Sequence, residues 1–332
     1  MILTRAPLRI SFVGGGTDLP DFYHLYPGRV ISATIDKYVY IVLNSTPMIN
    51  KISARYSISE SVDCVSDLKH TRIRAALIDL DIGPGIEIGS YASLPGKTGL
   101  GSSSSFSVAL IKALYSYIGK NITRQELAEE ACRLEIELVK EPIGKQDQYA
   151  AAIGGFNVFQ FNPDNSVKIK PVLIDHTAQS ILEQHLLVFF TGITRLASSV
   201  LKEQKLNINK KIKGLREIAD LVAPFEESLL KKDMKKAGEL LNKNWTIKRT
   251  LASRITSPVI DKLYKASLRN GAWGGKILGA GGGGCLMLIV PPTKRNKVLT
   301  SLKRVAEKNN LDKAKEVPIR FVQSGVDTLY SI

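Results

Sequence analysis

The sequence predicts an α+β protein of two packed units, residues 1–178 and 179–332, on the strength of three patterns. Before Ser102, apolar and polar side chains alternate at the period of β-strands. From Ser102 the period lengthens to that of amphipathic helices. From Cys285 the chain closes as strand, helix and strand.

The elements follow in order. Leu8, Ile10 and Phe12 share one side of a first strand, which turns Arg9 and Ser11 to the other. Val30 to Leu43 is a second extended stretch, rich in strand formers at Tyr38, Val39, Tyr40 and Ile41. Residues 66–80 read as a helix and Gly85 to Ser90 as a strand. Leu110, Ile111, Leu114 and Ile118 line one face of the next helix, and Gly119 stops it. Thr123 and Glu126 form a capping-box pattern that opens another helix. That helix buries Leu127, Ala131, Leu134 and Leu138 and ends before Pro142. Residues 145–153 form a short helix stopped by Gly154 and Gly155. Lysine-rich helices follow, then the strand Cys285 to Val290, a helix over 294–309 and a strand from Pro318 to Gln323.

Composition narrows the function classes. Of 332 residues, 44% are hydrophobic and 23% charged, as in an ordinary folded protein. The N-terminus lacks the layout of a signal peptide, and no run approaches the roughly 20 apolar residues that cross a bilayer. Cys64, Cys132 and Cys285 are far apart without metal spacing, so reduced thiols and a cytoplasmic location are expected. The net charge of +15 gathers in two places, Lys202 to Arg216 through Lys248-Arg249, and Lys294 to Lys315. Nucleic acid would attract such surfaces, but these lysines lie on amphipathic helices without interleaved aromatics or a nucleic-acid motif. They read as solvated helix faces; attraction of anionic substrates fits equally well. Neither nucleic acid nor membrane is an expected partner, and a homo-oligomer stays open.

The strongest chemical signal is Pro95-Gly-Lys-Thr-Gly-Leu-Gly-Ser-Ser-Ser-Ser105. Glycines let consecutive N–H groups converge on an anion, and the serines open a helix whose N-terminus favours phosphate. A Walker A loop ending at Gly96-Lys97-Thr98 would need glycine at 91, where Tyr91 stands. Gly279, Gly281 and Gly284 match the dinucleotide pattern by letter, but they lead into the strand-like Cys285 to Val290 instead of a helix.

The serine-rich loop resembles the phosphate loop of the GHMP kinases, the family of galactokinase, homoserine kinase, mevalonate kinase and phosphomevalonate kinase. Arg5-Ala-Pro-Leu-Arg-Ile-Ser-Phe-Val-Gly-Gly-Gly-Thr-Asp18, Ile143-Gly-Lys-Gln-Asp-Gln148 and Lys276-Ile-Leu-Gly-Ala-Gly-Gly-Gly-Gly-Cys285 resemble its other motifs, in the family's order. The resemblance implies an N-terminal unit like the second domain of ribosomal protein S5 and a ferredoxin-like C-terminal unit. It implies ATP as cofactor, bound by Pro95, Gly96, Gly99, Leu100, Gly101, Ser102, Ser103 and Ser104. Asp147 resembles the family's catalytic aspartate, which holds the acceptor hydroxyl and receives its proton. Lys145 and Arg9 join it as catalytic candidates, Arg9 beside the transferred phosphate. Periodicity does not choose between Glu135 and Glu137; the resemblance favours Glu135, with Ser103, as ligands of Mg²⁺.

Substrate residues implied in the same way are Gly14, Gly15, Gly16, Thr17 and Asp18, with Gly281 and Gly282. Galactokinases carry Glu and His where Gly15 and Gly16 stand. Removing a carboxylate there favours a sugar that carries a distal phosphate. With Ala33-Thr-Ile-Asp-Lys37, the pattern is similar to kinases of D-glycero-D-manno-heptose 7-phosphate, which implies a small sugar phosphate as the substrate. Arg195, after the apolar run Leu186 to Phe190, is a candidate for that phosphate. A kinase of a free sugar such as fucose or galactose is the alternative; a basic nucleic-acid-binding protein on an S5-like fold is a remote one.

Overall fold

A computed structural model describes residues 1–194 and 208–331. The chain begins with β1 (Ile2–Val13), α1 (Pro20–Tyr23), β2 (Gly28–Ser45), β3 (Ile52–Arg55) and β4 (Ser59–Val62). It continues through α2 (Thr71–Asp79), β5 (Ile86–Ala92), α3 (Ser102–Tyr117), α4 (Arg124–Cys132), α5 (Gln146–Ile153), β6 (Phe156–Phe161) and β7 (Val167–Pro171). These strands form one sheet, in which β1 and β2 pair antiparallel along nearly their whole length. Helix α3 lies across it, with Leu110 and Leu114 fully buried and Gly119 in the left-handed region at its end.

The second unit contains α6 (His176–His185), β8 (Leu186–Phe190), α7 (Ile208–Asp220), α8 (Val222–Leu230), α9 (Met234–Lys248) and α10 (Pro258–Arg269). Strands β9 (Gly274–Ile277) and β10 (Cys285–Ile289), helix α11 (Arg295–Glu307) and strand β11 (Lys315–Glu316) complete it. Its sheet runs β11-β8-β10-β9, all antiparallel. Numbered along the chain that order is 4-1-3-2, the ferredoxin-like arrangement. This is the two-unit α+β architecture that the resemblance implies.

Two element predictions need correction. The last strand is not Pro318 to Gln323: β11 ends at Glu316, and the final strand β12 (Asp327–Ser331) returns to the first sheet beside β1. Leu138 is 39% exposed, not buried. The capping box of α4 forms as expected, with Glu126 Oε2 accepting from Thr123 N at 2.8 Å and Glu126 N donating to Thr123 Oγ1. Over Arg133–Leu138, however, the helix widens into a π turn. The extra residue shifts the phase of everything beyond it, so Glu135 turns fully inward and Leu138 outward.

Among the described residues, no helix is long and apolar enough to cross a membrane.

Candidate active site

A cleft of about 460 Å³ lies where the two units meet. Its wall includes Arg9 from β1, Asp18 after it, Ser102 to Ser104 at the start of α3, Asp147 in α5, Lys248 at the end of α9 and the glycine loop from Gly279 to Gly283. The serine loop and the glycine loop touch through bare backbone. A Cβ on Gly99 would lie 2.5 Å from the Leu278 carbonyl, and Cys285 N donates to Thr98 O at 2.9 Å. Gly101, in the left-handed region, then starts α3, so the helix N-terminus faces the cleft.

Arg9 lies on the side of β1 that alternation assigned to it, yet it is 2% exposed. Its Nη1 donates to Gly99 O at 2.8 Å, while Nε and Nη2 donate to Asp147 Oδ1 and Oδ2 at 2.8 and 2.6 Å. The structure thus brings together Arg9, Asp147 and the phosphate loop. Asp147 remains 24% exposed on the cleft side. Asp18 is held by N–H donors from Gly16 and Gln146. Burial, then the nearby charge of Asp147, raises its carboxyl above the ordinary value, against the pull of those backbone donors. A Cβ on Gly144 would fall 2.0 Å from Asp18 Oδ2, so only glycine lets α5 approach this closely.

Other candidates are placed differently. Lys145 turns away from Asp147: its Nζ donates to Asn165 O at 3.2 Å and lies over the Tyr23 ring. Thr17 is fully buried, its hydroxyl taken up by the Gly14 and Arg29 carbonyls and the Arg29 N–H. It pins the turn instead of facing a substrate. Gly14 packs against the Arg29 carbonyl, while Gly16 lines the cleft. Pro95 and Gly96 sit on the exposed outer arm of their loop, and Leu100 is a core residue whose carbonyl accepts from Arg9 N. Gly281 lines the cleft, whereas Gly282 N is spent on Ile255 O at 2.7 Å. Arg195 lies outside the described residues.

Glu135 and Ser103 do not meet. Ser103 lines the cleft, but it is Ser104 whose hydroxyl donates to Glu135, at 2.8 Å. Ser107, Gln148 and Arg72 supply three further donors, at 2.9, 2.5 and 2.9 Å, so each Glu135 oxygen accepts two. A carboxylate so filled and fully buried does not fit as a ligand of Mg²⁺ in this arrangement. Arg72 also reaches Glu141 at 2.7 Å and lines the cleft. Among the described residues no cluster of three acidic, His or Cys side chains is arranged for a metal.

Sequence reasoning missed two buried lysines. Lys248, read as part of a solvated basic face, is 3% exposed and donates to Gly279 O at 2.9 Å. Burial pushes it down to about 8, with Asp18 and Asp147 opposing and Arg9 reinforcing the fall. Lys276 is 1% exposed and donates to Ser11 O and Phe12 O. Burial, then the Lys248 charge, holds it well below the usual range. A signal existed for the first: Leu241, Trp245 and Lys248 share one helical face at i, i+4 and i+7.

The family models "GHMP kinases N terminal domain" and "GHMP kinases C terminal" match residues 68–155 and 225–308. A Campylobacter jejuni protein named D-glycero-alpha-D-manno-heptose 7-phosphate kinase is 30% identical over 91% of this chain and 93% of its own. The L-fucokinase/L-fucose-1-P guanylyltransferase of Bacteroides fragilis is 26% identical over 86% of this chain, which spans 34% of that longer protein. A crystal structure of a D-glycero-D-manno-heptose 1-phosphate kinase from Bacteriodes thetaiotaomicron superposes with a TM-score of 0.81 over 100% of both chains. At 24% identity that likeness speaks for the fold. Both halves of the family pattern are present, the cleft lies between them, and the chain belongs to the GHMP kinases.

Proposed function

We propose that this ATP-dependent kinase transfers the γ-phosphoryl group of ATP to the anomeric hydroxyl of D-glycero-D-manno-heptose 7-phosphate, giving the 1,7-bisphosphate. The observation that carries the reading is the Arg9–Asp147 pair at the mouth of the phosphate loop. The name of the 30% identical relative supports the sugar phosphate.

In this mechanism the loop and the N-terminus of α3 hold the nucleotide phosphates through backbone N–H groups. Asp147, oriented by Arg9, accepts the hydrogen of the anomeric hydroxyl. The oxygen–phosphorus bond forms as the bond to ADP breaks, and the proton passes to the Asp147 carboxylate. Arg9 then faces the charge that develops on the transferred group. Asp18 accepts hydrogen bonds from ring hydroxyls. A divalent cation accompanying ATP would find Ser103 at the cleft wall, and no step is assigned to Glu135.

A free-sugar kinase is the second reading, favoured by the fucokinase-type relative. A panel of free and phosphorylated sugars with ATP separates the two. Turnover confined to fucose, galactose or another free sugar would sink the heptose phosphate reading.

A further inference from the structure

The buried turn at Gly15 brings no side chain of its own to the end of the cleft, and donors gather around it. From the position a Cβ would take on Gly15, Lys248 Nζ lies 3.4 Å away, Ser11 Oγ 3.6 Å and Lys276 Nζ 3.9 Å. Ser11 is 2% exposed, and its hydroxyl has no partner among the described residues. Lys276 is fixed from behind by the Ser11 and Phe12 carbonyls. Among the described residues Lys248 gives one hydrogen bond, to Gly279 O, and its side chain lines the cleft. A buried ammonium with a single carbonyl partner is costly unless a counter-charge arrives. Asp18 already accepts two backbone N–H groups. The convergence of an ammonium on the cleft wall and an unused buried hydroxyl on a residue without a side chain is the chemistry of an anion site.

We infer that Lys248, with the Ser11 hydroxyl, receives the phosphate monoester that the sugar already carries, over Gly15, and so sets the preference for a phosphorylated sugar. This rests on the sugar-phosphate reading above. The transferred γ-phosphoryl group has the same chemistry as the sugar's own phosphate, so the test must separate the two sources.

The experiment compares wild type, Lys248→Met and Gly15→Glu by kcat/KM with ATP, on D-glycero-D-manno-heptose 7-phosphate and on the same heptose without its phosphate. Methionine keeps the volume and removes the charge. A Cβ at position 15 makes only ordinary contacts, and the glutamate carboxylate beyond it would compete for Lys248. The ratio of phosphorylated to free substrate should fall about 100-fold in Lys248→Met, the size expected for losing a buried charge pair. It should fall in Gly15→Glu as well. An equal loss on both substrates would assign Lys248 to the transferred phosphoryl group and overturn the inference, as would an unchanged ratio. A wild type that prefers the free heptose overturns the sugar-phosphate reading along with it. A wild type that prefers the phosphate, beside variants that keep the preference, overturns the inference alone.

Discussion

Asp147 and Arg9 face each other through two parallel hydrogen bonds, Nε to Oδ1 at 2.8 Å and Nη2 to Oδ2 at 2.6 Å. Fork-to-fork geometry fixes both the position and the plane of the carboxylate, which a lysine in place of Arg9 could not do. Asp147→Asn should therefore lower kcat by about 1,000-fold or more, since it removes the proton acceptor and puts N–H against N–H. ATP affinity by calorimetry should change by less than about threefold. Retained turnover would show that another group handles the proton.

Gly144 and Gly96 form a matched pair of tests. Gly144→Ala drives a methyl group into Asp18 Oδ2, so the sugar KM should rise about tenfold or more while the ATP KM holds. Gly96→Ala meets nothing within 4 Å among the described residues and should leave both constants within about twofold. Steady-state kinetics on both variants decides whether the outer arm of the loop contributes to nucleotide binding.

Much of this site was legible in the sequence. The order of the motifs, the helix after the serines and the choice of Asp147 and Arg9 as candidates follow from period, glycine chemistry and resemblance. The partner of Glu135 was not, because a π turn re-phases α4 after Cys132, and no period count foresees the extra residue. Nor was Lys248, because lysine on a lysine-rich helix reads as surface unless its neighbours Leu241 and Trp245 are weighed against it. Lys145 misled for the opposite reason. Closeness to Asp147 along the chain says nothing of direction at a helix start, and its side chain leaves toward Tyr23 and Asn165.

Glu135 holds Arg72, Ser104, Ser107 and Gln148 together from a fully buried position. Glu135→Gln leaves Arg72 facing an amide and should destabilise the protein by about 3 kcal/mol, read as a lowered Tm. The Mg²⁺ concentration for half-maximal rate should stay where it is. A rise of about tenfold in that concentration would make Glu135 a metal ligand after all.

The pH dependence follows from Lys248. Its neighbours are Asp18 from the turn, Arg9 from β1, Asp147 from α5 and Lys276 from β9. With its pKa pushed down to about 8, Lys248 is cationic below that pH and neutral above it. Thus kcat/KM for the sugar phosphate should fall as pH rises through 8, and Lys248→Met should remove that limb. The fall from 10.5 to about 8 corresponds to a burial cost on the order of 3 kcal/mol at pH 7. Because the unfolded chain holds this proton more tightly, stability rises between pH 8 and 10.5. Lys248→Met should accordingly melt several degrees higher at pH 7 while binding the sugar phosphate less well.

Phosphorus NMR of the product formed from ATP and D-glycero-D-manno-heptose 7-phosphate tests the proposed reaction itself. The expected spectrum has two phosphorus signals on one sugar, the original monoester and a new one coupled to the anomeric proton, with one ADP formed per sugar. Failure to turn over the heptose 7-phosphate beside rapid turnover of a free sugar, or a new phosphate on any hydroxyl but the anomeric one, would contradict it.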